Sequence, residues 1–80
     1  MLPSVHHTRY RLVQAHLRAL RKGAGMTQGD LAVLLNVDQS FVSRLERGER
    51  YVDLLFYLDW CRACGVEPSD AVARLVNKGA

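Results

Sequence analysis

The stretch from Asp38 to Gly48 combines hydrogen-bonding and cationic side chains at helical spacing. Wound as a helix at roughly 100° per residue, it places Phe41, Val42 and Leu45 on one side. The opposite arc carries only polar side chains, namely Gln39, Ser40, Ser43, Arg44 and Arg47. Such side chains can read base edges and hold phosphates, but the outer face of an ordinary surface helix is polar as well. The stretch by itself leaves both interpretations open.

The composition is that of one small globular domain, with 49% apolar residues, 24% charged residues and a net charge of +3 at pH 7. Residues 1–50 hold eight Arg or Lys against four Asp or Glu, whereas residues 51–80 hold three against four. The basic half contains the polar arc, as expected of a nucleic-acid-binding protein. No apolar run approaches the ~20 residues of a membrane span and the N-terminus lacks an apolar signal core, which predicts a cytoplasmic protein.

The N-terminal part of the chain predicts a tail and one helix. Residues 1–7 show no helical period and are expected to form a flexible tail. From Thr8 to about Lys22, apolar residues at spacings of three and four predict a first helix, which carries five cations and no acid. Arg21 lies at the edge of its apolar face. His16 is interpreted as a solvated residue or one adjacent to phosphate.

The next two helices are short and joined by a tight turn. Thr27 and Asp30 have the spacing of a capping box, so a second helix should begin there. Its apolar face is expected to consist of Leu31, Ala32, Leu34 and Leu35. Asn36 tolerates the left-handed conformation and ends this helix, and Asp38 can cap the polar one. Two short helices crossing steeply at such a turn form a helix-turn-helix, whose second helix can enter a DNA major groove.

The C-terminal third predicts two more helices. Asp53 is a candidate cap for a fourth helix over residues 54–64, which Gly65 ends. Its apolar residues span roughly 220°, about twice the arc of a helix buried on one side, and Leu55 lies beyond even that arc. This helix is therefore either covered on two sides or in contact with a partner. A last helix over residues 67–77 is expected to turn three side chains inward, namely Val72, Leu75 and Val76.

Five short helices with a helix-turn-helix at the second and third positions resemble the Cro/repressor-type family, also called the Xre-type helix-turn-helix family. The resemblance covers residues 17–67. It rests on Leu20-Arg21, Met26-Thr27-Gln28, Leu31-Ala32, Val37, Ser40, Val42-Ser43-Arg44, Glu46-Arg47-Gly48 and Gly65-Val66. The resemblance implies an all-α fold over residues 8–78, a compact five-helix bundle of the lambda-repressor-like DNA-binding type.

The resemblance also implies roles for particular residues. Bases would be contacted by Gln39, Ser40, Ser43 and Arg44. Phosphates would be held by Gln28, Arg47 and Arg50. Arg21 and Glu46 would form an internal ion pair that ties the first helix to the recognition helix. Gln39 is suited to bidentate pairing with adenine, and Arg44 to bidentate pairing with guanine.

Three residues depart from the family pattern or from the size expected at their position. Asp38 stands where Ser or Thr is usual; it would cap the helix, which is the preferred interpretation, or accept a hydrogen bond from a cytosine amine. Asn36 stands where Gly is usual, which is a tolerable change. Phe41 is large for the rim of a recognition helix. It is expected to pack against the fourth helix, with contact to a thymine methyl group as the alternative.

The remaining reactive residues do not predict an enzyme. Cys61 and Cys64 have the spacing of a redox or zinc pair, but they lie near a helix C-terminus, where the dipole raises the pKa of a thiol. We interpret them as core thiols. His6 and His7 in the tail are interpreted as solvated, and neither a metal nor a cofactor is expected. No Ser-His-Asp, paired-carboxylate or phosphate-loop arrangement occurs in the sequence.

We therefore predict a sequence-specific regulator of transcription that binds double-stranded DNA through the major groove. A bacterial or prophage repressor that binds a palindromic operator as a homodimer, and is associated with the nucleoid, is the economical form of this hypothesis. The candidate dimer surface consists of Leu55, Phe56, Val72 and Val76. One alternative is a DNA-binding antitoxin whose apolar surface holds a toxin. The other is a protein-interaction adaptor of the same fold.

Overall fold

The computed structural model describes residues 8–80 as five α-helices. They are α1 (Thr8–Gly23), α2 (Gln28–Leu35), α3 (Gln39–Glu46), α4 (Leu54–Ala63) and α5 (Pro68–Asn77). The all-α prediction and the helix order are confirmed, with small differences at the helix ends. The predicted tail, residues 1–7 with its two histidines, lies outside the described residues. None of the five helices combines the length and the apolar character that a membrane crossing would need.

The short helices begin and end where local sequence signals predict. The Thr27 hydroxyl accepts a hydrogen bond from the Asp30 N–H at 3.0 Å, and the Asp30 carboxylate accepts one from the Thr27 N–H at 3.0 Å. Asn36 adopts φ 56°, in the left-handed region, at the end of α2. The Asp53 carboxylate accepts from the Phe56 N–H at 2.8 Å. These bonds satisfy backbone groups that the ends of short helices leave open.

The core joins α1, α4 and the helix pair α2–α3. Its largest fully buried side chains are Leu17, Leu31, Val42, Leu45, Trp60 and Cys61. The Trp60 indole N–H donates to the Leu17 carbonyl at 3.0 Å, so the largest core residue is buried with its polar group satisfied. Helix α4 contacts α2, α5 and, through this bond, α1. Of the two explanations left open for the wide apolar arc of α4, coverage on more than one side therefore applies, although Leu54 and Leu55 stay exposed.

Three apolar side chains expected to face inward are exposed instead. Leu34 is 60% exposed, and Val72 and Val76 are 41% and 59% exposed. In α5 the inward strip contains Ala71 and Leu75, so the residue after each of them is rotated by about 100° toward solvent. In α2 the buried strip runs through Leu31 and Ala32, and Leu34 lies outside it. The predictions for these three side chains were wrong because each short helix is covered along one narrow strip only.

The interpretation of His16 as a solvated residue is also wrong. His16 is buried, its Nε2 lies 2.8 Å from the Tyr57 hydroxyl, and the two rings stack. Burial lowers the pKa of His16, and the positive charges of Lys78 and Arg74 act in the same direction. Burial raises the pKa of Tyr57. A neutral imidazole and a neutral phenol thus share a buried hydrogen bond between α1 and α4.

We predict that His16 makes the domain less stable in mild acid. A histidine in the unfolded chain binds a proton near pH 6.5, whereas buried His16 binds one only at lower pH. Between these two values the unfolded state binds more protons, so the free energy of unfolding decreases as pH falls from about 6.5 through the pKa of the folded state. Urea unfolding as a function of pH measures this decrease.

The variant His16→Gln provides the control. It should be less stable than the unsubstituted chain at neutral pH, and its stability should depend less on pH below about 6.5. It also assigns the imidazole C–H resonances of His16 in an NMR titration. A titration midpoint in the folded protein equal to or above that in the urea-unfolded chain would contradict the prediction.

Candidate nucleic-acid interface

A buried ion pair attaches the C-terminal end of α3 to the rest of the domain. Arg21 Nε donates to Glu46 Oε2 at 2.7 Å and Arg21 Nη2 to Glu46 Oε1 at 3.0 Å, with both side chains less than a tenth exposed. Arg21 Nη1 donates to the Met26 carbonyl at 2.9 Å, and the Gln28 amide donates to Glu46 Oε1 at 3.1 Å. The ion pair that the sequence suggested is therefore present, as the centre of a network that joins α1, α2 and α3.

The polar arc of α3 faces away from the core. Val42 and Leu45 are buried, whereas Gln39, Ser40 and Arg44 are exposed and Ser43 is partly exposed. The four residues predicted to contact bases therefore lie on one accessible side of a helix whose other side is fixed. This side offers amide, hydroxyl and guanidinium groups, which can donate to and accept from base edges.

Gln28 is the first residue of α2, where backbone N–H groups and the helix dipole favour an anion. Its side-chain amide is partly buried and donates to Glu46. The residue predicted to hold a phosphate is thus also a member of the network that orients α3. The amide oxygen of Gln28 does not take part in that hydrogen bond.

Arg47 follows α3 and is engaged by two neighbours. Its Nε donates to Glu49 Oε2 at 2.7 Å and its Nη1 to the Ser43 hydroxyl at 2.6 Å. The hydrogen bond raises the pKa of Arg47 and lowers the pKa of Glu49. Both side chains are more than half exposed, so water screens the pair and it adds little to stability. A phosphate could replace Glu49 as the partner of Arg47.

Arg50 lies in the loop between α3 and α4, which is fixed from two sides. Its guanidinium carbon lies 4.8 Å from the centroid of the Phe41 ring, and that ring packs edge-to-face against Phe56 of α4 at 5.2 Å. The predicted packing of Phe41 on the fourth helix is confirmed. The Tyr10 hydroxyl donates to the Arg50 carbonyl at 3.1 Å and accepts from the Val52 N–H at 2.9 Å. These loop contacts have no periodic signal in the sequence, so sequence reasoning missed them.

Asp38 occupies the N-cap position of α3, but its carboxylate makes no capping hydrogen bond. A capping carboxylate would accept a hydrogen bond from the Phe41 N–H, but this N–H donates instead to the backbone carbonyl of Asp38, at 3.0 Å. The preferred prediction of a side-chain cap is therefore wrong. The exposed carboxylate lines an open groove of about 610 Å³ together with Arg44 and Asn36.

The residues of the candidate dimer surface differ in their exposure. Leu55, Val72 and Val76 are exposed, with Leu55 at 74%. Phe56 is only partly exposed, because its ring contacts Phe41 and, at 6.3 Å between centroids, Trp60. Exposed apolar side chains thus occur on both α4 and α5. Phe56 differs, because its ring mainly packs against other side chains of the same domain.

The two cysteines are core residues, as interpreted from the sequence. Both thiols are free and buried. Burial raises the pKa of Cys64 to about 11 and also raises the pKa of Cys61. The thiols are consequently un-ionised near neutral pH and poor nucleophiles. Within residues 8–80 there is no group of three or more His, Cys, Asp or Glu side chains arranged to hold a metal ion.

Comparison with known proteins agrees with this geometry. Residues 15–75 match a family model described as a helix-turn-helix domain. The structure is similar to an XRE-family like protein from Pseudomonas syringae pv. tomato str. DC3000, with 36% identity and a TM-score of 0.83 over 95% of this chain and 93% of that one. It is also similar to the clp gene regulator ClgR from Corynebacterium glutamicum, with 29% identity and a TM-score of 0.76 over 99% and 97%. No curated protein matches the chain.

We predict strong coupling between Arg21 and Glu46. Removing one member of a buried pair leaves the other charge unpaired, so Arg21→Met and Glu46→Leu should each lower the free energy of unfolding by about 3 kcal/mol. The double variant should lose less than the sum of the two, since it leaves no unpaired charge. Urea unfolding of the four proteins measures the coupling.

The exposed pair Arg47 and Glu49 provides the matched control. The same cycle with Arg47→Met and Glu49→Leu should show no measurable coupling, because water screens both charges. Additive effects of the Arg21 and Glu46 substitutions would show that the two side chains are not energetically coupled and would contradict the prediction. If the single variants are too unstable to fold, circular dichroism still tests the coupling. Unfolded single variants beside a folded double variant would confirm it.

Proposed function

The chain belongs to the Xre-type helix-turn-helix family of DNA-binding transcription regulators, and we propose that it is a sequence-specific repressor. The observation that carries the proposal is the exposed polar arc of α3. The opposite side of this helix is buried, and its last residue, Glu46, is paired with Arg21 of α1. In the proposed complex α3 lies in the major groove of double-stranded DNA, and its arc faces the bases.

Base recognition is assigned to the arc of α3. Gln39 would pair bidentately with an adenine and Arg44 with a guanine, each contributing about 1–3 kcal/mol of discrimination against a wrong base. Ser40 and Ser43 would contact neighbouring base edges. Since Asp38 does not cap α3, its exposed carboxylate is available for the other role considered for it, accepting from a cytosine amine.

Phosphate contacts are assigned to residues at the start of α2 and after α3. Gln28 would bind a phosphate with the N-terminal N–H groups of α2 and the oxygen of its amide. Arg47 and Arg50 would hold the backbone beyond the recognition helix. These contacts fix the orientation of α3 but carry no sequence information themselves.

We further propose that the regulator binds as a homodimer. One domain of this size covers little DNA and would bind weakly by itself. Two copies on a palindromic operator, with half-sites separated by about one helical turn, would bind more tightly and would block access to a promoter. The exposed side chains of Leu55, Val72 and Val76 are the proposed contact between the copies, with Phe56 adding the part of its ring that is not covered.

The same exposed apolar side chains suit an alternative, a DNA-binding antitoxin whose apolar surface holds a small toxin protein. In that case α3 keeps its role and only the partner changes. A protein-interaction adaptor of the same fold would instead have lost the role of α3. Co-purification of a small partner protein would favour the antitoxin, and DNA affinity that is independent of α3 would favour the adaptor.

We expect Arg44→Ala to lower the affinity for a preferred site by about 5- to 150-fold, the equivalent of one bidentate base contact. The site is obtained by selection from random double-stranded DNA. The preference at one base position should be lost at the same time, whereas Gln39→Ala should relax a different position. Fluorescence anisotropy with the selected duplex and its point variants measures both effects.

Arg62→Ala is the matched control, because Arg62 is an exposed arginine on α4 that lines a groove with residues of α2 and α4 and none of α3. This variant should keep the base preference and lose little affinity. If the double variant with Gln39→Ala and Arg44→Ala keeps the affinity and the salt dependence of the unsubstituted chain, the DNA-reading role of α3 is excluded.

The dimer is tested by sedimentation at micromolar concentration with and without the selected duplex. Two copies of the chain per duplex are expected. Leu55→Glu together with Val76→Glu should shift the complex toward one copy, because carboxylates would be buried at the contact. A single copy on the duplex at every concentration would contradict the dimer, without affecting the role assigned to Arg44.

A further inference from the structure

We propose that Phe41 is a positioning residue for Arg50, holding its guanidinium in an orientation suited to binding a DNA phosphate. The inference rests on the proposed function, since it takes Arg50 as a residue that contacts DNA. It adds a role for a side chain on α3 to which the proposed function assigns no DNA contact. The role depends on a ring face, so an aliphatic residue of similar size cannot supply it.

The ring of Phe41 is held by a series of aromatic contacts that begins in the core. Trp60 is fully buried and contacts Phe56 at 6.3 Å between ring centroids, and Phe56 contacts Phe41 at 5.2 Å. Both contacts are edge-to-face, which is a favourable arrangement for aromatic rings. Phe41 is therefore a fixed platform at the rim of α3, and the guanidinium of Arg50 lies 4.8 Å above its centroid.

The backbone of Arg50 is fixed independently of this platform. Its carbonyl accepts from the Tyr10 hydroxyl at 3.1 Å, and the same hydroxyl accepts from the Val52 N–H at 2.9 Å. The Tyr10 ring also packs edge-to-face against Tyr51, at 4.6 Å between centroids. Arg50 is thus held at both ends, by α1 at its backbone and by α3 at its guanidinium.

A guanidinium that lies over a ring face keeps its hydrogen-bond donors available. A cation–π contact takes up none of the N–H donors of the group, and a phosphate is bound through those N–H groups. Among the described residues, no carboxylate pairs with Arg50. Arg47 differs, because Glu49 and Ser43 already accept from its N–H groups. Arg50 can therefore bind a phosphate without first losing an anionic partner, whereas Arg47 would have to release Glu49.

Prior ordering raises affinity because the side chain loses less freedom on binding. An unrestrained arginine has many rotamers, and fixing one of them opposes binding. A cation–π contact at an exposed site is equivalent to about a two- to fivefold change in an equilibrium constant. The loss of the Phe41 ring should therefore weaken DNA binding by about this factor, and only while Arg50 is present.

The test is a double-mutant cycle in DNA binding. The proteins are the unsubstituted chain, Phe41→Leu, Arg50→Ala and the variant with both changes, together with Phe41→Tyr, which keeps a ring face. The probe is a fluorescent mixed-sequence duplex of about 24 base pairs, because a phosphate contact does not depend on sequence, measured between about 50 and 200 mM salt. Anisotropy gives the affinity and its dependence on salt.

Arg50→Ala should weaken binding and reduce the slope of log affinity against log salt by about one. Phe41→Leu should weaken binding about two- to fivefold and shift the slope in the same direction. It should have no further effect in the Arg50→Ala background, and Phe41→Tyr should bind like the unsubstituted chain. A Phe41→Leu effect of equal size in both backgrounds, or no effect in either, overturns the positioning role.

Two further measurements separate the possible failures. Circular dichroism and urea unfolding establish that Phe41→Leu is folded at the assay temperature, so that lost binding is not lost structure. In the free protein, the ring-current shift of the Arg50 Nε–H resonance should disappear in Phe41→Leu and persist in Phe41→Tyr. If the unsubstituted chain does not bind the duplex, the proposed function fails. If it binds and only the coupling is absent, the positioning role alone fails.

Discussion

The hydrogen bonds between Arg21 and Glu46 determine how α3 is presented. A helix of eight residues is too short to be stable by itself, so its position comes from its contacts. Val42 and Leu45 supply the apolar contact, but two aliphatic side chains allow some rotation about the helix axis. The bidentate pair at Glu46 restricts that rotation, and so sets the direction of Gln39 and Arg44. Because removing two charges from water costs free energy, the pair contributes more to geometry than to stability.

Helix α1 acts as the support for this whole region. At successive positions along its length it provides the Tyr10 hydroxyl to the loop, the Gln14 amide to the end of α3, and the Arg21 guanidinium to Glu46. Gly48 has φ +76°, and a Cβ atom there would overlap the Gln14 side chain. Any other residue here would adopt a strained backbone conformation and displace the end of the Gln14 side chain, so glycine favours the close approach of this loop to α1. Helix α3 and the loop that follows it therefore share α1 as their support.

Local signals in the sequence predicted the order and the ends of the helices. The features that these signals missed depend on contacts between residues distant in the sequence. The capping box at Thr27 and the left-handed Asn36 depend on neighbours in sequence, so they were predictable. The burial of His16 depends on Tyr57, 41 residues further along, and so does not appear in the helical period. The exposure of Leu34, Val72 and Val76 depends on which strip of a short helix is covered. A helical period identifies which side chains of a helix are apolar, but it does not determine how the helix is rotated about its axis relative to the core.

The enclosed indole of Trp60 has a practical consequence for work on this domain. It is the single tryptophan of the chain, it is fully buried, and its N–H is bonded to a carbonyl of α1. Its fluorescence therefore reports on the separation of α1 from α4, and equilibrium unfolding can be followed without an added label. Emission that stays constant when a ligand is added would show that the core is unchanged, whereas a spectral shift would reveal rearrangement far from the ligand itself.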